Sequence, residues 1–276
     1  VEGQPCKARK RFGQHFLVDR AAIAQIAGLV RPQEGEVVLE IGPGQGALTQ
    51  VLVRRLERLV AVEIDRDLAA LLRGRLGGPG FRLIEGDILR VDLAQILRQE
   101  GGNGLLVVGN LPYNITAPLL FRLLEEASCI RRAVLMVQRE VATRLAAPPG
   151  SRQYGSLSVL LGRLAQVEAR LEVGRQAFRP VPEVDATVVE LRFAPQGRFA
   201  VEDEELFARV VRTAFGQRRK MLRNSLLGLA PERGRSFLEE LAAQASIELT
   251  RRPETLSGEE FARLSNAFGR LRLQEP

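Results

Sequence analysis

Val37-Val-Leu-Glu-Ile-Gly-Pro-Gly-Gln-Gly-Ala-Leu-Thr49 is the stretch that decides the fold. Its first five residues form a short, mostly apolar run. Gly42, Gly44 and Gly46 follow within five positions, and Ala47 to Leu56 then carries helical periodicity. A buried strand, a tight glycine turn and a helix make up the opening unit of a doubly wound sheet, in which a ligand sits against the turn.

The same alternation continues outward on both sides. Upstream, Ala21 to Val30 has helical spacing and is stopped by Pro32 and Gly35. Downstream, strands are expected at 59–63, 81–85, 105–109 and 133–138, with further β candidates at 165–173 and 187–193. Strands separated by helix-period segments specify a parallel sheet with crossover helices, so the expected class is α/β and Rossmann-like. The β pattern stops near Pro195-Gln-Gly, and 202–270 reads as helices broken around Pro231 and Pro253. The expected domains are therefore 1–196 and a small all-helical domain, 197–276. Pro148-Pro-Gly-Ser151 reads as a loop of some mobility.

Composition limits the chemistry. In 276 residues, 40 Lys and Arg stand against 33 Asp and Glu, a net charge of +7 that points to an anionic partner such as nucleic acid. Two cysteines, Cys6 and Cys129, and one histidine, His15, are too few soft ligands for a zinc site, so no metal is expected. No apolar run approaches the roughly 18 residues of a membrane span, and the basic start lacks a signal-type apolar segment. A cytoplasmic, monomeric protein without a membrane partner is the expectation.

Glycines at 42, 44 and 46 let the backbone approach a nucleoside without Cβ atoms in the way. Glu63, ending the next strand, can accept from both ribose hydroxyls. Gly42, Gly44 and Ala47 also satisfy the dinucleotide pattern G-x-G-x-x-G/A, so a dehydrogenase is the first rival. Pro43 removes one N–H from a pyrophosphate cradle and Gly46 adds a close-approach position, two details that favour S-adenosyl-L-methionine. Asp87, after the third strand, can accept from the cofactor's adenine amine or can cap a following helix.

Asn110-Leu-Pro-Tyr113 directly follows the fourth strand and fits the Asn-x-Pro-Tyr type of amino methyltransferases. An adenine N6 lone pair is delocalised into its ring, and acceptors aimed at the two N6 hydrogens localise it on nitrogen. The Asn110 side-chain oxygen and the Leu111 carbonyl can supply them, with Pro112 holding the turn and Tyr113 stacking on the base. No strong general base is required. A plain turn after a strand is the alternative reading.

Several blocks together carry a family resemblance over nearly the whole chain: Phe12-Gly-Gln-His-Phe-Leu17, Glu40 to Thr49, Val62-Glu-Ile-Asp65, Gly109-Asn-Leu-Pro-Tyr-Asn-Ile115, Gln138-Arg-Glu-Val141, Phe178-Arg-Pro-Val-Pro-Glu-Val-Asp185 and Phe215-Gly-Gln-Arg-Arg-Lys220. The chain resembles the small-subunit ribosomal RNA adenine dimethyltransferases. The resemblance implies dimethylation of two adjacent adenines in a hairpin loop near the 3′ end of small-subunit ribosomal RNA, or of its precursor, during subunit maturation. It also implies that Gln14 and Gly42 to Gly46 line the methionine end of the cofactor, with His15 and Leu17 also at the cofactor and His15 structural or substrate-adjacent rather than a catalytic base. Glu63 would hold the ribose and Asp87 the adenine, Asn110 would follow in the same pocket, and Ile64 and Ile88 would also bind the cofactor. Phe178, which local sequence would assign to the core, becomes an aromatic clamp that sandwiches the target base with Tyr113. Glu183 departs from the basic residue usual at that place, which puts one local RNA or cofactor-loop contact in doubt.

Lys7, Arg9, Lys10 and Arg11 form one basic cluster, and Arg218, Arg219, Lys220 and Arg223 form another. Two such clusters at opposite ends of the chain suggest a divided surface that grips RNA phosphates. The rivals are the large-subunit adenine methyltransferases of the antibiotic-resistance type and a ribosome-assembly or transcription-associated binding factor with residual activity. Protein-glutamine and DNA adenine methyltransferases stand further off.

Overall fold

In the computed structural model, residues 14–113, 115–229 and 234–273 are described. Cys6 and the basic cluster Lys7, Arg9, Lys10 and Arg11 lie outside them. The chain divides into two compact units, 1–142 with 167–195, and 143–166 with 196–276.

The first unit holds β1 (Phe16–Leu17), α1 (Arg20–Leu29), β2 (Glu36–Ile41), α2 (Thr49–Val53), β3 (Leu59–Glu63), α3 (Arg66–Arg75), β4 (Phe81–Glu85), α4 (Leu93–Glu100), β5 (Gly104–Asn110), α5 (Thr116–Glu125) and β6 (Ile130–Gln138). It also holds the start of α6 (Arg139–Leu145), most of β7 (Ala165–Val173), β8 (Phe178–Arg179) and β9 (Ala186–Phe193). Seven strands form one sheet in the order β4-β3-β2-β5-β6-β9-β7. Neighbours from β4 to β6 run parallel, and β9 is antiparallel to β6. Almost every residue of β2, β3 and β5 is buried, as parallel strands covered on both faces require.

The order of these strands places the site. From β2 the chain builds outward through β3 to β4, then returns to lay β5 on the other side of β2. The loops leaving the carboxyl ends of β2 and β5 therefore diverge and leave a crevice between them. Those loops are Gly42–Gly46 and Asn110–Tyr113, the two segments singled out from sequence.

Helix entry is set locally. Asp19, Asp65 and Asp92 each accept from a first-turn N–H, of Ala22, Asp67 and Gln95, at 2.8, 3.0 and 2.8 Å. Such caps contribute about 1 kcal/mol each. The sixth strand begins at Ile130 rather than Ala133 because Arg132, polar in a strand start, is neutralised by Glu36 at 2.8 Å.

The second unit contains α7 (Ser156–Leu164), α8 (Glu204–Gly216), α9 (Leu222–Leu226), α10 (Gly234–Ala245) and α11 (Gly258–Leu273). The sequence division at 196 differs here, since 143–166 groups with the tail. The cause is visible in α7, which packs on α8 and α11. Val159, Leu160 and Leu161 are buried, and nearly buried Arg163 bonds Glu204 at 2.7 Å and the Gln196 carbonyl at 3.1 Å. The loop before α7 is also tied down. Gly150 N–H donates to the Glu254 carbonyl at 2.6 Å, and Tyr154 packs edge-on against Phe215 at 6.0 Å.

Candidate active site

A cavity opens at the carboxyl ends of β2, β3, β4 and β5. Gly42 and Gly44 line it from the loop after β2, Glu63 and Ile64 from β3, Asp87 and Ile88 from β4, and Asn110 to Tyr113 from β5. Gln14, His15 and Phe178 close it from the remaining side. Leu17 instead lines a second cavity behind the glycine loop, together with Glu40, Pro43 and Gln45.

Gly42 has φ +64° and open space where a Cβ would stand, so the loop turns sharply and leaves room for a ligand. Gly46 is placed differently from Gly42 and Gly44. It lines neither cavity. With φ +82°, its missing Cβ would lie 2.6 Å from the Leu72 side chain, so this glycine serves the packing of α3.

Glu63 is 3% exposed, and its two carboxylate oxygens accept from Gly44 N–H at 3.0 Å and Asp65 N–H at 2.9 Å. Burial pushes its carboxyl above the ordinary range, and those two N–H groups oppose the rise. Each oxygen keeps a further lone pair for a ligand hydroxyl. Ile64, 47% exposed, and buried Ile88 supply apolar surface on the same side. Asp87 does not cap α4, a role taken by Asp92. One Asp87 oxygen accepts from Leu89 N–H at 3.0 Å, while the other lies 3.9 Å from Arg90 Nε.

Asn110 ends β5 with its amide held. Its Nδ2 donates to the His15 main-chain carbonyl at 3.0 Å. A carbonyl only accepts, so the amide nitrogen must face it, and Oδ1 is turned away as the acceptor. Leu111 N–H is spent on the Met136 carbonyl at 3.0 Å, and the Pro112 carbonyl accepts from Thr116 Oγ1 at 3.0 Å. The turn is thus clamped on both sides of the Leu111 peptide. The Tyr113 hydroxyl is buried without a partner among the described residues, and burial, with the Asp185 charge adding, raises its pKa.

Phe178 and Tyr113 line the same cavity, but the ring beside Tyr113 is that of His15, at 5.4 Å and 30°. Phe178 is 1% exposed and belongs to the hydrophobic core, as local sequence assigned it, while also lining the cavity wall. Glu40 was missed by sequence reasoning. It is 2% exposed, and burial, opposed by the neighbouring Thr49 hydroxyl and reinforced by the Glu63 charge, lifts its carboxyl to about 8. The signal was an acid inside an otherwise apolar strand, immediately before the glycines.

The basic cluster after α8 divides. Arg219, Lys220 and Arg223 are exposed, whereas Arg218 Nη2 donates to the carbonyls of Ser151 and Arg152 at 3.3 and 2.6 Å. Arg218 thus holds the loop before α7. Among the described residues no acidic, histidine and cysteine cluster could hold a metal ion, and no helix is long and apolar enough to cross a membrane.

Residues 6–264 match the family model described as ribosomal RNA adenine dimethylase. The chain belongs to this family. A ribosomal RNA small subunit methyltransferase A of Geobacter sulfurreducens is 47% identical, covering 97% of this chain and 98% of its own. Its namesake in Pseudomonas aeruginosa is 44% identical, with 96% of each chain covered. Among solved structures, a 23S rRNA methyltransferase, ErmE, is similar with a TM-score of 0.70 and 28% identity, covering 92% of this chain and 99% of its own. A Plasmodium falciparum dimethyladenosine transferase shares the fold, with a TM-score of 0.76 and 22% identity over 93% of this chain and 98% of its own. The large-subunit rival is therefore represented by a structure at 28% identity, and the small-subunit reading by relatives at 44 to 47%.

Proposed function

We propose that this chain transfers methyl groups from S-adenosylmethionine to N6 of adenines in small-subunit ribosomal RNA, giving dimethyladenosine at two adjacent positions of a hairpin loop near the 3′ end. The family supplies the reaction class, an adenine dimethylation dependent on S-adenosylmethionine. The observation that carries the mechanism is the anchored amide of Asn110, which leaves Oδ1 as its acceptor beside the cavity.

The residues present fit the cofactor. Open space at Gly42, spare lone pairs on Glu63, the apolar walls Ile64 and Ile88, and Asp87 together match an adenosyl group. The buried Glu40 carboxyl, behind the glycine loop, offers a polar group at the other end. When bound, that group supplies an electrophilic methyl.

Asn110 Oδ1 and the Leu111 carbonyl accept from the two N6 hydrogens as the lone pair localises on nitrogen, and they strengthen as positive charge develops there. Tyr113 and Phe178 offer apolar faces to the base and exclude water. The proton made acidic by the new N–CH₃ bond leaves N6 to solvent, so no charged base is needed. Exposed Arg219, Lys220 and Arg223 in the helical unit fit RNA phosphates, which makes that unit an RNA-binding domain. The protein works as a monomer, without metal, in the cytoplasm.

The test is transfer of labelled methyl from S-adenosylmethionine to unmethylated small-subunit RNA, with the products resolved by mass spectrometry. Dimethyladenosine at two adjacent sites is expected. Calorimetry that shows tight nicotinamide dinucleotide binding and no response to S-adenosylmethionine would overturn the reading.

A further inference from the structure

The only histidine of the chain stands at a junction that the proposed chemistry leaves unexplained. His15 Nδ1 lies 2.9 Å from the Pro180 carbonyl, 165 positions away. Its ring lies against Tyr113, and its own carbonyl anchors Asn110. The next residues, Phe16 and Leu17, pair antiparallel with Arg179 and Phe178. Past this short pairing, the His15 side chain is the bond that extends the tether to Pro180, two residues beyond the cavity-lining Phe178.

A carbonyl accepts only, so the Nδ1 facing Pro180 carries a hydrogen. We propose that His15 is a positioning residue for methyl transfer: its Nδ1–H holds the Phe178–Pro180 segment against the adenine site, so that one aromatic wall stays in register with the Asn110 turn. This inference rests on the adenine reading of the cavity. It assigns His15 no proton transfer. The main-chain bond to Asn110 belongs to the backbone, so side-chain substitutions at 15 leave the amide anchor in place and isolate the tether.

Two substitutions separate the donor from the ring. His15→Asn keeps an N–H donor at the place of Nδ1 and loses the ring beside Tyr113. His15→Phe keeps a ring and loses the donor. Single-turnover methyl transfer is measured on full-length protein with saturating RNA and cofactor, and RNA affinity is measured separately. His15→Phe is expected to fall at least tenfold in rate, and His15→Asn to recover to within about threefold of wild type. A merely structural role would not be rescued by the smaller side chain. His15→Phe near the wild-type rate, or His15→Asn as slow as His15→Phe, overturns the tether.

Because this is the only histidine, its two ring nitrogens also give one unambiguous pair of signals in ¹⁵N NMR, independent of activity. The Nδ1–H tautomer is expected, and an Nε2–H tautomer overturns the proposal. A wild-type protein with the Nδ1–H tautomer but no methyl transfer would instead refute the adenine reading and, with it, the positioning role drawn from it.

Discussion

Gly44 N–H donates to the Glu63 carboxylate across 3.0 Å, so the glycine loop after β2 is tied to the end of β3 by the residue expected to hold the ribose. Loop shape and the acceptor proposed for the ligand are one feature. The second Glu63 oxygen accepts from Asp65 N–H, which leaves no position on this side chain where a donor is tolerated.

Glu63→Gln should therefore cut S-adenosylmethionine affinity more than an isosteric change would suggest. One end of the amide becomes NH₂ and faces a backbone N–H, at a cost of about 1 to 3 kcal/mol, or roughly five- to 150-fold in affinity. Calorimetric titration reads this directly. An affinity within twofold of wild type would show that the loop geometry and cofactor binding are independent.

Asn110→Ala should slow the chemical step far more than it weakens RNA binding, because its acceptor strengthens only as the N6 lone pair localises. Loss of one preorganised group of this kind costs on the order of 2.7 to 4 kcal/mol, a hundred- to thousandfold in turnover. Single-turnover methyl transfer with separately measured RNA affinity checks it. A near-wild-type rate would remove Asn110 from the mechanism.

The basic residues after α8 should separate by experiment as they do in space. Arg219→Ala with Lys220→Ala should weaken RNA binding and flatten its salt dependence, since phosphate contacts release counterions. Arg218→Ala should in addition free the loop it holds at Ser151 and Arg152, seen as faster proteolysis or hydrogen exchange in 148–154. Equal exchange in that loop with and without Arg218 would return this residue to the phosphate-binding set.

Glu40 makes stability depend on pH. Its folded pKa, about 8, lies above the ordinary 4.5, so the folded protein binds the proton more tightly than the unfolded chain. The stabilisation from this group is complete below the ordinary value and is lost as pH rises through about 8. Between the two values stability should fall by on the order of 1 kcal/mol per pH unit. Urea midpoints measured across this range should decline for wild type, and Glu40→Gln should flatten the decline. Parallel curves for the two proteins would mean that Glu40 titrates normally.

The parallel sheet, its strands to within a few residues, and the two loops that flank the crevice are legible in the chain alone. Those features are written locally: apolar runs such as Leu105 to Val108, aspartates at helix starts, and glycines or a proline where the chain must turn. Even the helical tail was legible from its periodicity. Tertiary structure alone decided the features made by contacts between distant segments. The pairing of Phe16–Leu17 with Phe178–Arg179 is two residues long on each side and leaves no periodic trace. The bond from His15 to Pro180 spans 165 positions, and that from Asn110 to His15 spans 95. Gly46 shares the glycine pattern of the loop, yet only the placement of Leu72 shows what its missing side chain accommodates. Segment 143–166 joins the helical unit because α7 buries its apolar side against α8 and α11. Arg218 looks like its neighbours until the carbonyls of Ser151 and Arg152 claim it. Local propensity and periodicity depend on neighbours in the chain, whereas a single side chain bonding one distant carbonyl depends on where the whole fold carries that carbonyl.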